Sequence, residues 1–241
     1  VDPWGVQDQL SSAHGGAGAL DLAGGLPGVG PVACDWGACG YALCRVGSRC
    51  DQSVHADGYA AVPADMRAVA RRLGCERLED VPYPVFLARL ADVRAHLGDR
   101  AALRALHYFE ETRRVAAQQR ALESGDIEGF LEGVRQSGAS SAQFLQNVSP
   151  RGDGLGARQP AMMVLALCAH LLDGRGAYRI HGGGFGGSAL AFGPAADIDA
   201  LCESLDALLG HDACLRAEVD GRGAYQERGG GRAPHSSRPT T

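Results

Sequence analysis

The chain has 241 residues, 45% of them hydrophobic, which is enough to bury one large or two small cores. Its formal net charge of −5 at pH 7 argues against nucleic acid as the main partner. No apolar run is long enough to predict a transmembrane helix, so we expect no membrane partner. No signal peptide is recognised, and a cytoplasmic location is therefore expected.

Four of the eight cysteines lie close together in sequence, at Cys34, Cys39, Cys44 and Cys50. Their spacing lacks the Cys-x-x-Cys pair that is typical of a zinc site. We therefore interpret the cysteines as free structural thiols and assign no residue to a metal site. All basic residues apart from histidine are arginines. Any cationic contact with a phosphate group must then come from arginine, from a helix N-terminus or from Mg²⁺.

The first 60 residues are predicted to form strands and turns with one short helix. The helix begins within residues 5–12 and carries Asp8 near its N-terminus, where the helix dipole favours a carboxylate. Strands are predicted at residues 17–22 and 40–46, and a loop at residues 27–31. The second strand is apolar on both faces, which predicts that it is buried.

Residues 64–172 are predicted to be mostly helical. Apolar periodicity places helices at residues 65–73, 85–97, 100–124, 127–136 and 161–172. Gly74, Gly98 and Gly125 stand where helices end, and Asp126 is a predicted N-cap. The helix 161–172 is apolar almost all round, which predicts burial. Strands at residues 177–180 and 189–192, a helix at 197–209 and a disordered segment from residue 215 follow.

A run of glycines separates the last two predicted strands. It consists of Gly182, Gly183, Gly184, Gly186 and Gly187, with Phe185 in its middle. Glycines permit positive φ and let backbone amides approach another surface, so the run could hold a phosphate group. A glycine-rich hairpin without a ligand explains the same pattern. The run is neither a P-loop nor a dinucleotide fingerprint.

Three segments together resemble motifs of the galactokinases, a branch of the GHMP sugar kinases. The glycine run preceded by Arg179 resembles the third signature motif of that family. The segment Gly-Val-Gln-Asp-Gln at residues 5–9 resembles its Gly-x-x-Asp-Gln segment, and residues 137–148 resemble a serine-containing helix and loop. The order and spacing agree over about residues 1–215.

The resemblance implies ATP-dependent phosphorylation of galactose to galactose 1-phosphate, with ATP and Mg²⁺ as cofactors. In this interpretation Asp8 accepts or orients the proton of the sugar hydroxyl, while Gly5 and Tyr59 contact the sugar. Gly182, Gly183, Gly184, Gly186 and Gly187 line the nucleotide side, mainly as support. The structural alternatives are a helix cap for Asp8 and a partly buried aromatic for Tyr59. Ser140 and Ser141 are assigned to helix-end hydrogen bonds.

The resemblance also implies an α+β fold of the GHMP type. Residues 1–63 would be a remnant of the N-terminal domain, residues 64–215 the C-terminal domain of helices on an antiparallel sheet, and residues 216–241 a disordered tail. The family's sugar-gripping motif and its main phosphate loop precede the Gly-x-x-Asp-Gln segment and are not found in this sequence. The chain is therefore predicted to be a C-terminal portion that does not phosphorylate sugar by itself.

Two other functions stay open at this point. One is a related kinase acting on N-acetylgalactosamine, galacturonate or arabinose. The other is a non-catalytic sugar-binding or regulatory protein, or a decayed protein. Residues 47–58 and 216–241 depart from the family pattern, and a change of reading frame is one hypothesis for that departure.

Overall fold

The structure is a computed structural model that describes residues 7–22, 28–50, 56–148 and 159–223. These ranges contain both helices and antiparallel strands, and the α+β class is confirmed. The α-helices are α1 (Gln7–His14), α2 (Ala56–Arg72), α3 (Tyr83–Ala88), α4 (Leu90–Glu123), α5 (Ile127–Ser140), α6 (Pro160–Leu172) and α7 (Ile198–Leu209). The strands are β1 (Gly18–Asp21), β2 (Gly28–Pro31), β3 (Tyr41–Cys50), β4 (Ala177–Ile180), β5 (Gly187–Pro194) and β6 (Cys214–Ala217).

The main sheet has four antiparallel strands in the order β4-β5-β3-β6, and β1 and β2 form a separate hairpin. Strand β3 is central because it pairs with β5 on one side and with β6 on the other. Its pairing with β5 runs from Tyr41 opposite Pro194 to Cys50 opposite Gly187, with a register shift after Gly47. Strands from both ends of the chain therefore share one sheet.

Strand β3 confirms the prediction of a strand that is apolar on both faces. Cys44 and Val46 are fully buried and pack with side chains of α6 and α7 on one face of the sheet. Tyr41 and Leu43 point to the opposite face, because successive residues of a strand alternate, and they pack in the cluster that contains Leu131 of α5. The sheet is thus a middle layer between α5 and the pair α6 and α7.

The helices α2, α3 and α4 form a second hydrophobic core beside the sheet. Its centre is aromatic, since the Phe86 ring lies 5.1 Å from the Phe109 ring and Tyr83 stacks 5.0 Å from Phe109, measured between centroids. The predicted break at Gly98 is present, since its φ of 81° and ψ of 169° are not helical. Gly98 therefore separates α4 into two helical parts, residues 90–97 and 99–123, close to the predicted boundaries.

Three sequence predictions about individual elements need correction. Residues 28–31 form β2 and pair with β1, where a loop was predicted. Helix α2 begins at Ala56, well before residue 65, and continues through Pro63, which has no backbone donor to offer. Helix α6 is not buried all round, since Met163 is 56% exposed while Cys168 is fully buried.

The segment predicted to be disordered begins with ordered structure. Strand β6 pairs Leu43 with Ala217 and Val46 with Cys214, so it covers an edge of the central strand. Beyond it, the Gly16 amide donates to the carbonyl of Asp220 at 2.7 Å. The prediction was wrong for residues 215–223, while residues 224–241 lie outside the described residues, as do residues 51–55 and 149–158.

The predicted domain boundary after residue 63 stays a prediction, although the described contacts cross it. Strand β3 belongs to the first predicted segment but pairs with β5 and β6 of the second. Residue 63 itself lies within α2. Within the described ranges, no helix is long and apolar enough to cross a membrane.

The N-cap of α5 offers a direct test of the helix boundary. The Asp126 carboxylate accepts a hydrogen bond from the Gly129 amide at 2.9 Å, as the sequence predicts. We expect Asp126→Ala to lower the free energy of unfolding by about 1 kcal/mol, because one amide of the first turn loses its partner. Asp126→Ser, which keeps an acceptor, should lose less in urea unfolding. Equal losses for both variants would contradict the capping role.

Candidate functional site

The glycine-rich turn between β4 and β5 is built almost entirely from left-handed backbone. Gly182, Gly184, Gly186 and Gly187 have φ of 61°, 83°, 116° and 38°. Glycine is the residue that adopts these angles without steric cost. Phe185 also has a positive φ, 54°, and its side chain is 4% exposed. Burial of this aromatic ring offsets the cost of its backbone conformation.

Tyr59 of α2 packs directly on this turn. Its hydroxyl donates a hydrogen bond to the Gly184 carbonyl at 3.0 Å, and its ring lies 4.9 Å from the Phe185 ring, measured between centroids. A Cβ on Gly183 would lie 2.4 Å from Cε1 of Tyr59, so a larger residue has no room there. The structure thus brings together the predicted sugar-side tyrosine and the predicted nucleotide-side glycines.

Asn147 holds the turn from the other side, a contact that the sequence analysis did not predict. Its Nδ2 donates to the Gly183 carbonyl at 3.0 Å, and its own carbonyl accepts from the Phe185 amide at 2.5 Å. The side chain follows a π-helical turn at Ser141–Leu145 and is 1% exposed. The sequence analysis included Asn147 in residues 137–148, which resemble a family motif, but that resemblance does not reveal the contact with the turn.

The end of β3 closes the third side of the turn. Ser48 Oγ donates to the Gly187 carbonyl at 2.7 Å, and a Cβ on Gly186 would lie 2.7 Å from the Cys50 sulfur. These residues belong to the block that departs from the family pattern. In the structure the block nevertheless starts with ordered strand that packs on the turn.

Exposure divides the five glycines into two groups. Gly184 and Gly186 are buried, whereas Gly182 and Gly183 are exposed at the tip of the turn and Gly187 is partly exposed. A ligand can therefore approach the tip directly. The buried glycines instead make the close packing possible.

Arg179, just before the turn, is partly buried and pairs with an acidic side chain. Its guanidinium lies 3.5 Å from the Glu111 carboxylate of α4, which also accepts hydrogen bonds from Arg114 and Ser137. Burial lowers the pKa of Arg179 from its ordinary value, and Glu111 opposes that shift. This cluster ties β4, which leads into the turn, to α4 and α5.

A second buried pair lies beside this cluster. His107 Nδ1 is 2.8 Å from Ser140 Oγ, so Ser140 bonds to a side chain of α4, which differs from the local helix-end hydrogen bond that the sequence predicts. Burial lowers the pKa of His107, which keeps the ring neutral near pH 7. Ser141 Oγ is buried and has no hydrogen-bond partner among the residues that the structure describes, so the predicted bond of this second serine is not found there.

The other predicted sugar-side residues lie near the start of the chain. Asp8 falls on α1, where the structure describes the backbone, and Gly5 lies outside the described residues. Helix α1 ends beside the segment that follows β6, through the hydrogen bond between Gly16 and Asp220. Among the residues whose side chains are described, no three His, Cys, Asp or Glu side chains are grouped to hold a metal ion.

Two glycines of the turn provide a matched test of its packing. A Cβ on Gly184 would lie 2.4 Å from the Asn147 carbonyl, whereas a Cβ on Gly182 meets nothing within 4 Å. We expect Gly182→Ala to cost about 1 kcal/mol of stability, since alanine disfavours positive φ. Gly184→Ala should cost about 2–4 kcal/mol, because a clash with backbone is added. Equal losses in urea unfolding would contradict the packing of the turn on Asn147.

Known proteins resemble the chain in sequence. A galactokinase of Streptomyces coelicolor is 32% identical over 208 residues, which are 85% of this chain and 50% of that protein. A galactokinase of Mannheimia succiniciproducens is 31% identical over 132 residues, 55% of this chain and 32% of that protein. The chain thus spans about half the length, or less, of the curated relatives it matches. No protein-family model matches.

Solved structures match the fold. The crystal structure of Lactococcus lactis galactokinase complexed with galactose superposes with a TM-score of 0.70 at 21% identity, covering 91% of this chain and 55% of the other. L. major mevalonate kinase in complex with R-mevalonate gives a TM-score of 0.54 at 19% identity, covering 90% of this chain and 53% of the other. Both support the GHMP kinase fold. The predicted resemblance is confirmed, and the chain is a relative of the galactokinases that corresponds to about half of one.

Proposed function

We propose that the chain contributes to ATP-dependent phosphorylation of galactose to galactose 1-phosphate. The observation that carries the proposal is the hydrogen bond from Tyr59 to Gly184, which joins a predicted sugar contact to the predicted nucleotide-side turn. The sequence likeness to galactokinases over 85% of the chain supports the choice of substrate. In such a site both substrates must lie side by side, because the γ-phosphoryl group of ATP passes to a sugar hydroxyl.

The residues of the chain take different parts in this proposal. Asp8 accepts or orients the proton of the reacting hydroxyl, and Gly5 and Tyr59 contact the sugar. The Tyr59 hydroxyl donates a hydrogen bond to the Gly184 carbonyl, so a sugar that contacts Tyr59 also lies next to the turn.

The turn serves the nucleotide side. Gly182 and Gly183 lie at its exposed tip, where backbone amides can approach a phosphate. Gly184, Gly186 and Gly187 support this tip through their contacts with Asn147, Cys50 and Ser48. Magnesium would neutralise phosphate charge when ATP is bound. No residue of the chain is assigned to Mg²⁺ in this proposal.

Galactose binding tests the proposal directly. The affinity of the purified chain for galactose is measured by titration calorimetry, with Asp8→Asn as the test variant. Asp99→Asn is the matched control, because Asp99 is an exposed carboxylate on α4 that pairs with Arg94. We expect Asp8→Asn to weaken binding about tenfold, the loss of one hydrogen bond to a charged group, and Asp99→Asn to leave it unchanged.

The same samples separate phosphoryl transfer from binding. We expect the chain to bind galactose without releasing ADP from ATP, since the family's main phosphate loop is not found in this sequence. Galactose-dependent release of ADP that is lost in Asp8→Asn would contradict this expectation and establish catalysis by the chain itself. Equal affinity of Asp8→Asn and the unchanged chain, or no binding of galactose, would contradict the proposal. Substituting N-acetylgalactosamine, galacturonate and arabinose in the same assay tests the choice of sugar.

A further inference from the structure

Four cysteines from four different elements meet in the core between the sheet and the helices α6 and α7. Cys44 lies on β3, Cys168 on α6, Cys202 on α7 and Cys214 on β6. All four belong to one cluster of packed side chains. Of the four cysteines between residues 34 and 50, the cluster contains only Cys44. The fold therefore brings the clustered cysteines together from distant parts of the sequence.

The strand register explains why two of these thiols face each other. Cys44 lies opposite Arg216, and Val46 lies opposite Cys214, in the antiparallel pairing of β3 with β6. Cys44 and Cys214 are therefore diagonal neighbours on one face of the sheet. Helix α7 packs on the same face and adds Cys202. Asp206, one helical turn after Cys202 on α7, accepts a hydrogen bond from the Cys214 amide at 2.9 Å, which brings this part of α7 beside Cys214.

We propose that Cys202 and Cys214 are a modification site that closes into a reversible disulfide. This pair is favoured because both residues are partly exposed, whereas Cys44 and Cys168 are fully buried. Thiol–disulfide exchange requires that the reagent reach the attacking sulfur. Cys202 and Cys214 are free thiols in the structure, which is the reduced form of the site. The proposal is independent of the proposed sugar-kinase function.

The reaction needs a small disulfide, such as oxidised glutathione, as the oxidant. The Cys202 thiolate attacks one glutathione sulfur, which forms a mixed disulfide and releases one glutathione thiolate. The Cys214 thiolate then attacks the Cys202 sulfur, forms the internal S–S bond and releases the second glutathione. The two protons lost by the protein thiols end on the two glutathione molecules. The protein loses two electrons and the glutathione disulfide gains them.

The surroundings make the rate depend steeply on pH. Burial, followed by the nearby Cys214, raises the pKa of Cys202 to about 11. The hydrogen bond with Cys44, together with burial and the Asp206 carboxylate of α7, raises the pKa of Cys214 further. The other titratable groups nearby are the Cys168 thiol of α6, which lies near Cys202 and Cys214, and His211, which lies near the Asp206 carboxylate. A raised thiol pKa means that the thiolate fraction keeps growing as pH rises above 8.5, where an ordinary cysteine is half ionised.

The bond would fasten an edge strand to the helix that covers it. Strand β6 continues into the segment whose Asp220 carbonyl accepts from the Gly16 amide next to α1. A link between α7 and β6 therefore also limits the freedom of the segment that packs on α1. It stabilises the folded chain mainly by restricting the unfolded one, and we expect oxidation to raise the Tm by several degrees.

The test oxidises the full folded chain with glutathione disulfide and maps its sulfurs by mass spectrometry. Cleavage after Glu203 separates Cys202 from Cys214, so the two peptides stay joined only through the proposed bond. We expect the joined peptides, a higher Tm that dithiothreitol reverses, and a rate that rises about tenfold per pH unit from pH 7 to 10. Cys202→Ser and Cys214→Ser should lose both the link and the Tm increase.

Cys75→Ser is the matched control. Cys75 is also partly exposed, but its sulfur contacts the Asp80 carbonyl far from the cluster, so this variant should oxidise as the unchanged chain does. If Cys214→Ser fails to fold, the proposal is tested by whether Cys202→Ser loses the link and the Tm increase. Recovery of Cys202 and Cys214 as separate thiols or glutathione adducts would overturn the proposal. A link from Cys214 to Cys44, or a rate that levels off near pH 8.5, would overturn it as well.

Discussion

Close packing of the glycine-rich turn on Tyr59, Asn147 and Cys50 is the constraint on which the candidate site depends. Each of these neighbours lies where a Cβ on one of the turn glycines would stand. Those positions of the turn therefore have no room for side chains. The turn is also held in place, because its carbonyls accept hydrogen bonds from Tyr59, Asn147 and Ser48. Rigid backbone at the tip is what a site for phosphate groups requires.

The central strand β3 fixes one side of this packing through its pairing with strands that are distant in sequence. β3 delivers Ser48 and Cys50 to the turn and at the same time holds β5, the strand that leaves the turn. The other side of β3 is covered by β6, which removes an unpaired edge. On the helical side, Glu111 joins Arg179 to α4, so the strand that enters the turn is fixed too. The turn is thus anchored by its own two strands and by separate helices.

The sequence predicted the parts of the fold that depend on local signals. The strand at residues 177–180, the helix from Ile127 with its Asp126 cap, and the glycine turn each follow from periodicity, capping or glycine content. Strand β6 was missed because Leu215 and Arg216 are exposed, and the strand exists through pairing with distant β3. Asn147 was missed for a related reason, since its partners lie 36 residues away or more in sequence. The cysteine cluster likewise arises from contacts between distant elements, which spacing does not reveal.

Hydrogen exchange at the turn tests the central claim most directly, that its tip is a binding surface held by Tyr59 and Asn147. The exchange rates of the backbone amides of Gly182 and Gly183 are compared with and without galactose and Mg-ATP, with the amides of β6 as internal reference. The account predicts slower exchange at the two glycines when the ligands are present, and no change in β6. Unchanged exchange at the turn, under conditions where calorimetry shows the ligands to be bound, would contradict it.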